Sequence, residues 1–461
     1  HDALPISRMC HGSYDSSFLT REDRMSTDKK IDYILRTVEE RDVRYLRLCF
    51  TDVLGGLKAL SISPEELEEA FVEGIGFDGS NVDGFASQEQ SDLLAFPDAD
   101  TFQILPWKTD DGVVANVFCD IQTPRREAFT GDPRLVLRNA FIKAEDLGYV
   151  ANVGPKLEYF YFVSGTEPKP IDQAGYLDLN SADLSHSLRY STSRALENLS
   201  IPVQYSFHAA GPAQNGVELR YAEALTCADN IVTARLVIRH IATLHGVFAS
   251  FMPKPLQGVP GSAMLLNQSL LDHDGESLFW APKTENEAHL SELAQHYIAG
   301  LIKYAPEYML ITNPTVNSYK RFDRDAIPAY ATWGRKNRSA MVRIPTHKPG
   351  KHVATRAELR IPDPTANPYL ANAVTLMAGL KGIEEGLSLP EEFVGGNPAD
   401  YGEKLPTNLG EALERFKQSE LLKDALGEHI FSYLCERKAE EWREFCLTVT
   451  DWDTQKYYAG C

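Results

Sequence analysis

The chain has 461 residues, 43% of them hydrophobic and 24% charged, enough to build a large soluble core in two or more domains. Its 65 acidic against 46 basic residues leave a formal charge of −19, which repels nucleic-acid backbones and anionic membranes. No run of about 18 apolar residues is present to cross a bilayer, and seven cysteines without CxxC spacing predict free thiols and a cytoplasmic protein, not a disulfide frame.

In chain order, residues 1–24 lack the apolar core of a secretory signal and the clear pattern of a transit peptide, so they read as a non-native or disordered extension. Met25 looks like the start, and Ser26 is placed to cap a helix with Ile31, Ile34 and Leu35 on one face. Residues 25–125 read as a small α+β domain, with strands over 43–52, 56–63, 102–107 and 113–121 and a helix from Pro64 to Glu73. Residues 126–461 read as the large domain. It opens with a helix from Leu135 to Leu147 and an alternating strand over 153–164, then helices and strands alternate to about Arg360. From Asn367 the chain is mainly helical, ending in two charged amphipathic stretches over 409–427 and 430–452, and the Gly/Pro-rich run 394–410 reads as a loop.

Seven segments, in order FTDVLGGLKAL, GFDGSNVDGFASQEQSDLLAFPD, GPKLEYFYF, MPKP with GSAMLLNQS, NPTVNSYKR, WGRKNRSAMVRIP and RAELRIPDPTANPYL, resemble type I glutamine synthetases over residues 25–461. The resemblance implies an α+β protein, with a β-grasp domain followed by a catalytic-type domain whose curved antiparallel sheet forms a funnel. It also implies homo-oligomers, hexameric rings that stack into a dodecamer, with active sites between neighbouring subunits. Expected ligands are ATP, glutamate and an amine, with magnesium or manganese as the metal. By position, Arg338 and Arg343 match the arginines that hold phosphate, and Arg321 and Arg360 those that hold the glutamate carboxylate, with Gly261 kept in the glutamate loop. Asp52 matches the aspartate that binds ammonium at a neighbour's site, while Tyr221, Ser269 and Arg356 fall where ATP is contacted. Arg338 and Asp52 are the expected catalytic residues.

The metal ligands depart from the pattern. Of six, only Glu158 and Glu358 remain; Lys156, Ala209, Gly216 and Leu265 stand at the others, and Asn267 replaces a histidine beside the ATP phosphates. Pro260 replaces an asparagine of the glutamate loop, and the flap has Ala326, with Asp325 beside it, where a glutamate belongs. Lys156 is expected on the same strand face as Glu158, pairing with Glu158, Glu358 or both in place of a metal. Two readings follow. The first is a pseudoenzyme that binds a small ligand or assembles into rings, with ATP binding open and its metal weak or absent. The second is an active glutamine synthetase or γ-glutamyl-amine ligase with an altered metal site.

Overall fold

The computed structural model describes residues 21–107, 112–179, 182–282, 289–323, 328–346, 348 and 350–460. The small N-terminal part holds α1 (Arg21–Glu40), β1 (Val43–Thr51), β2 (Leu57–Ile62), α2 (Leu67–Glu73), β3 (Ile75–Asp78), β4 (Asp92–Pro97), β5 (Gln103–Ile104) and β6 (Val113–Gln122). Its sheet runs β2-β1-β6-β4-β3, with β5 on β6 and β1 parallel to β6. Ile34 and Val38 of α1 bury against Leu46, Leu48 and Val117, as period-3.6 patterning requires. Helix α1 spans Arg21–Glu40, so Ser26 lies within it and not ahead of its first turn.

The large part continues with α3 (Pro133–Asp146), β7 (Val150–Phe162), α4 (His186–Asn198), β8 (Val203–His208), β9 (Gln214–Leu219), β10 (Ala222–Glu223), α5 (Ala224–Leu244), β11 (Phe248–Ser250) and β12 (Met264–Leu271). After α6 (Glu292–Lys303) and α7 (Ala305–Thr312) come β13 (Trp333–Gly334), β14 (Val342–Arg343) and β15 (Ala357–Leu359). Helices α8 (Pro368–Glu384), α9 (Leu409–Lys417), α10 (Glu420–Leu447) and α11 (Asp451–Tyr457) close the chain. Nine strands form one curved sheet in the order β13-β14-β15-β12-β7-β9-β8, with β10 and β11 also on β7. All its pairings are antiparallel except β13 with β14.

Alternation along these strands separates two faces. Val153, Leu157 and Tyr159 of β7, Met264 and Leu266 of β12, Val217 of β9, Val342 of β14 and Leu359 of β15 enter the main core with residues of α3, α5, α6 and α8. The residues between them form the opposite, polar face. No helix among the described residues is long and apolar enough to cross a membrane.

Candidate functional site

The polar face is ordered by strand register. One row crosses the sheet as Arg343, Glu358, Asn267 and Gly154, from β14 through β15 and β12 to β7. The next runs Leu265, Lys156, Glu218 and Tyr205, from β12 through β7 and β9 to β8, and the third pairs Glu158 with Gly216 and Gly216 with Phe207. Lys156 and Glu158 therefore do lie side by side on one face of a strand, as their two-residue spacing requires.

In the middle row the Lys156 ammonium lies 3.9 Å from a carboxylate oxygen of Glu218 and donates to the Tyr205 hydroxyl at 3.3 Å. Tyr205 in turn donates to Glu218. The ammonium also sits 4.4 Å from the centroid of the Phe207 ring, a cation–π contact. The Lys156 partner is thus Glu218, not the expected Glu158 or Glu358, because the antiparallel pairing of β7 with β9 sets Glu218 directly opposite. Glu358 is held by other cations: Arg360 donates to it at 2.6 Å, and Arg343 reaches both its oxygens at 3.5 Å. Glu158 accepts the Ala263 backbone N–H at 2.9 Å. Burial raises its pKa, while that hydrogen bond and the charges of Lys156, Arg321 and Arg360 pull it back.

Phe207 fills the space above Gly216. A Cβ on Gly216 would lie 2.2 Å from the Phe207 Cζ, so the register position expected to carry a carboxylate has no room for one. Leu265, opposite Lys156 in register, and Ala209, two residues after Phe207, are both buried.

The remaining expected residues are dispersed. Arg356 donates through Nε to the Asn267 side-chain oxygen at 3.0 Å, and Asn267 donates to the Gly154 carbonyl at 3.0 Å, so both join the first row. Ser269 lies two residues farther along β12, half-buried. Tyr221 stands beside Gly154 with an exposed ring. Arg321 is 1% exposed and donates to the Ile361 carbonyl at 2.9 Å. A Cβ on Gly261 would come within 2.7 Å of the Arg321 Cγ, so only glycine lets that loop pass the buried arginine. Burial lowers the Arg321 pKa, against the opposing charges of Asp363 and Glu158. Arg338 is exposed in the β13–β14 loop.

Asp52 stays with the small sheet. It accepts the Gly56 N–H at 2.7 Å and pairs with Lys58 at 3.1 Å, and burial raises its pKa against those partners. Asn367, the cap of α8, donates to its carbonyl at 3.1 Å. Asp325 and Ala326 lie outside the described residues.

Glu218, Tyr205 and Phe207 are absent from the sequence-based site. The signal was available in part, since Glu218 follows Gly216 by two and alternates onto the same face, but its pairing with Lys156 needs the register. Also missed is a buried group of Asp172, Asp183 and His208, whose ligating atoms lie within 4.8 Å of one another. Arg189 already bonds both oxygens of Asp183, at 3.0 and 2.5 Å, and Asp172 accepts from His208, Ser185 and the Ala213 N–H. That group balances its own charge.

A small sheet joined to a nine-stranded curved sheet with an arginine-lined polar face defines a two-domain α+β protein. The family models described as the glutamine synthetase β-grasp domain and the glutamine synthetase catalytic domain match residues 42–124 and 130–457. Glutamine synthetase of Mycolicibacterium smegmatis is 44% identical over 446 residues, covering 93% of this chain and 99% of its own. That of Methanosarcina mazei is 42% identical over 439 residues, covering 92% and 96%. Among solved structures, apo GmaS without ligand superposes with a TM-score of 0.85 at 28% identity, covering 93% of this chain and 99% of its own. A GmaS–ADP complex gives 0.83 at 27%, covering 92% and 99%. The chain belongs to the glutamine synthetase family.

Proposed function

We propose that this member of the family does not form glutamine by the metal-dependent route, and that it acts as a ligand-binding, ring-assembling protein. The observation that supports the reading is the filled space over Gly216, where the Phe207 ring covers one position expected to hold a carboxylate and Lys156 stands at another, its ammonium against that ring. Magnesium takes a near-octahedral shell of oxygens at about 2.0–2.1 Å. The residues present do not fit it. Lys156 brings a positive charge, Leu265 and Ala209 offer no donor atom, and Glu358 is taken by two guanidinium groups. Without such an ion, neither the neutralisation of a transferring phosphoryl group nor its bridging to a carboxylate is supplied.

The rest of the expected machinery is read as a binding surface. Arg338 and Arg343 hold phosphate, Arg321, Arg360 and Gly261 a carboxylate, and Tyr221, Ser269 and Arg356 a nucleotide such as ATP. Asp52 lies on the small domain, to be offered to a neighbour in hexameric rings that stack into a dodecamer in the cytoplasm. Light scattering at micromolar protein tests the assembly, and a monodisperse monomer contradicts it.

The test of activity is γ-glutamyl hydroxamate formation from glutamate, ATP and hydroxylamine with magnesium or manganese. No metal-dependent product is expected; metal-dependent hydroxamate formation, at on the order of 10 per second for an ordinary active enzyme, overturns the reading. The second reading, an active glutamine synthetase or γ-glutamyl-amine ligase, is favoured by the full-length similarity to relatives named glutamine synthetase. The same assay with a panel of amines decides for it if any amine gives metal-dependent product.

A further inference from the structure

Three arginine donors, two beside Glu358 on the polar face and one buried behind the loop that carries Gly261, lack acceptors. The Nε atoms of Arg321, Arg343 and Arg360 are buried with no hydrogen-bond partner, although their terminal nitrogens are engaged. Buried donors in native proteins nearly always meet a protein group, water or ligand, so three unmet ones around one carboxylate pair call for an acceptor.

Charge points the same way. Among the described residues, Lys156, Arg321, Arg343, Arg356 and Arg360 gather around three carboxylates, Glu158, Glu218 and Glu358, a surplus of two positive charges in that set. Asp363, within electrostatic reach of Arg321, also acts on the buried Arg235, so adding both leaves the surplus unchanged. Lys156 and Arg343 keep part of their surface in solvent, their side chains being 17% and 21% exposed, while Arg321 is buried. Arg343 is the more loosely held guanidinium, at 3.5 Å from Glu358 against 2.6 Å for Arg360. Guanidinium groups bind carboxylate and phosphoryl oxygens through paired N–H donors, so they suit an oxyanion in particular.

We infer that this face binds a small oxyanion bearing two negative charges, phosphoryl or dicarboxylate, directly and without a divalent cation. Lys156 supplies, as part of the chain, positive charge that a metal ion would otherwise bring. The inference rests on the reading that the face no longer holds metal. Its particular content is that anion binding is metal-independent and depends on Lys156.

The experiment is calorimetric titration of the full chain, stripped with EDTA and kept in it, with inorganic phosphate and glutarate as separate probes. Each titration is then repeated with magnesium in excess. Saturable binding of either probe in EDTA is expected, changed by less than about threefold by magnesium and weakened by about tenfold or more in high salt, as exposed charge interactions are screened. Binding of phosphate alone assigns the phosphoryl class, and of glutarate alone the dicarboxylate class. Lys156→Glu removes the surplus and is expected to weaken binding in EDTA by about tenfold or more; Lys156→Met, a smaller charge change, does so less. Both variants are first checked for a wild-type melting profile, and the EDTA–magnesium comparison on the unmodified chain stands without them. Absence of binding of both probes in EDTA, binding that appears only with magnesium, or wild-type affinity in a well-folded Lys156→Glu protein overturns the inference. Hydroxamate formation would overturn the preceding reading; failure of binding with no hydroxamate formed removes only this one.

Discussion

Any side chain at residue 216 must displace the Phe207 ring, and that ring has little freedom to yield. It is 5% exposed, with the Lys156 ammonium over its face and the Tyr205 and Tyr176 rings 5.8 and 6.4 Å away. Gly216→Ala is therefore expected to destabilise the protein by about 1–3 kcal/mol through overpacking. Phe207→Ala alone opens a cavity and costs about 3–5 kcal/mol. The double variant should cost less than the sum, since removing the ring makes room for the methyl group. Urea unfolding of the four proteins measures this coupling, and strict additivity would mean that the ring is not what excludes a side chain there. At this scale the sequence displayed the substitutions but not their consequences. Lys156 and Gly216 stand in the motifs where the resemblance places carboxylates, yet the partner of Lys156 depends on which strand lies beside β7. Glu218 and Phe207 reach it from β9 and β8, about 50 to 60 residues downstream, through pairings that no local pattern specifies.

The β8–β9 hairpin that carries Phe207 is fixed at its end by His208, whose two ring nitrogens face acceptors only. One lies 3.1 Å from an Asp172 oxygen and the other 2.9 Å from the Ala209 carbonyl, an arrangement that both N–H groups of an imidazolium satisfy. Burial opposes the charge, but the bonds to Asp172 and Ala209 prevail and raise the His208 pKa above its ordinary 6.5. Burial likewise opposes the Asp172 and Asp183 charges, yet His208, Ser185 and Arg189 hold both pKa values below 3.8. A raised histidine contributes stability in full below about 6.5 and loses it as pH rises through its folded value, whereas the lowered aspartates lose theirs as pH falls below about 3.8. His208→Gln should therefore cost most at pH 5 and progressively less toward pH 9. Thermal unfolding across that range tests it; a difference independent of pH would mean that folding leaves the His208 pKa unshifted, and a cost that grows with pH would mean that the folded protein holds the ring neutral. Elements with strong periodicity, such as β1, β6, α3 and β7, were legible in the sequence because their apolar residues recur at the period of the structure they form. Strands β3 and β4 were not, since they flank the turn-rich segment DGSNVDGF and are only four and six residues long. The closing amphipathic stretches are subdivided by local chemistry: Ser419 accepts the Leu422 N–H and starts α10, and Gly427, at φ 74°, interrupts it.

Across the whole molecule, the two sheets do not have wholly separate cores. Cys49, Val53, Val114 and Phe118 of the small part bury in the same cluster as α3, α5 and α8. At this junction Arg134, the second residue of α3, is almost fully buried among three carboxylates. It bonds Asp120 at 2.6 Å and Asp98 at 2.7 Å from the small sheet, and both oxygens of Asp229 on α5 at 3.2 and 3.0 Å. Tyr369 of α8 donates to the same Asp229 at 2.5 Å. Removing the guanidinium would leave Asp229 with only Tyr369 among these partners, while Asp120 would keep Arg138 at 2.7 Å. Breaking a buried ion pair from one side costs about 3–5 kcal/mol, because the carboxylate left behind must stay charged without a counterion or take up a proton. Arg134→Met keeps much of the volume and isolates that charge effect. It is expected to lower the unfolding midpoint by an amount in that range and, because the core crosses the junction, to move the transitions of both parts together. Guanidinium unfolding followed by tryptophan fluorescence and by far-ultraviolet circular dichroism checks both expectations. Two separated transitions in the wild type would mean that the shared core does not couple the two parts, and a change below about 1 kcal/mol in the variant would mean that Arg134 makes no essential contribution to the junction.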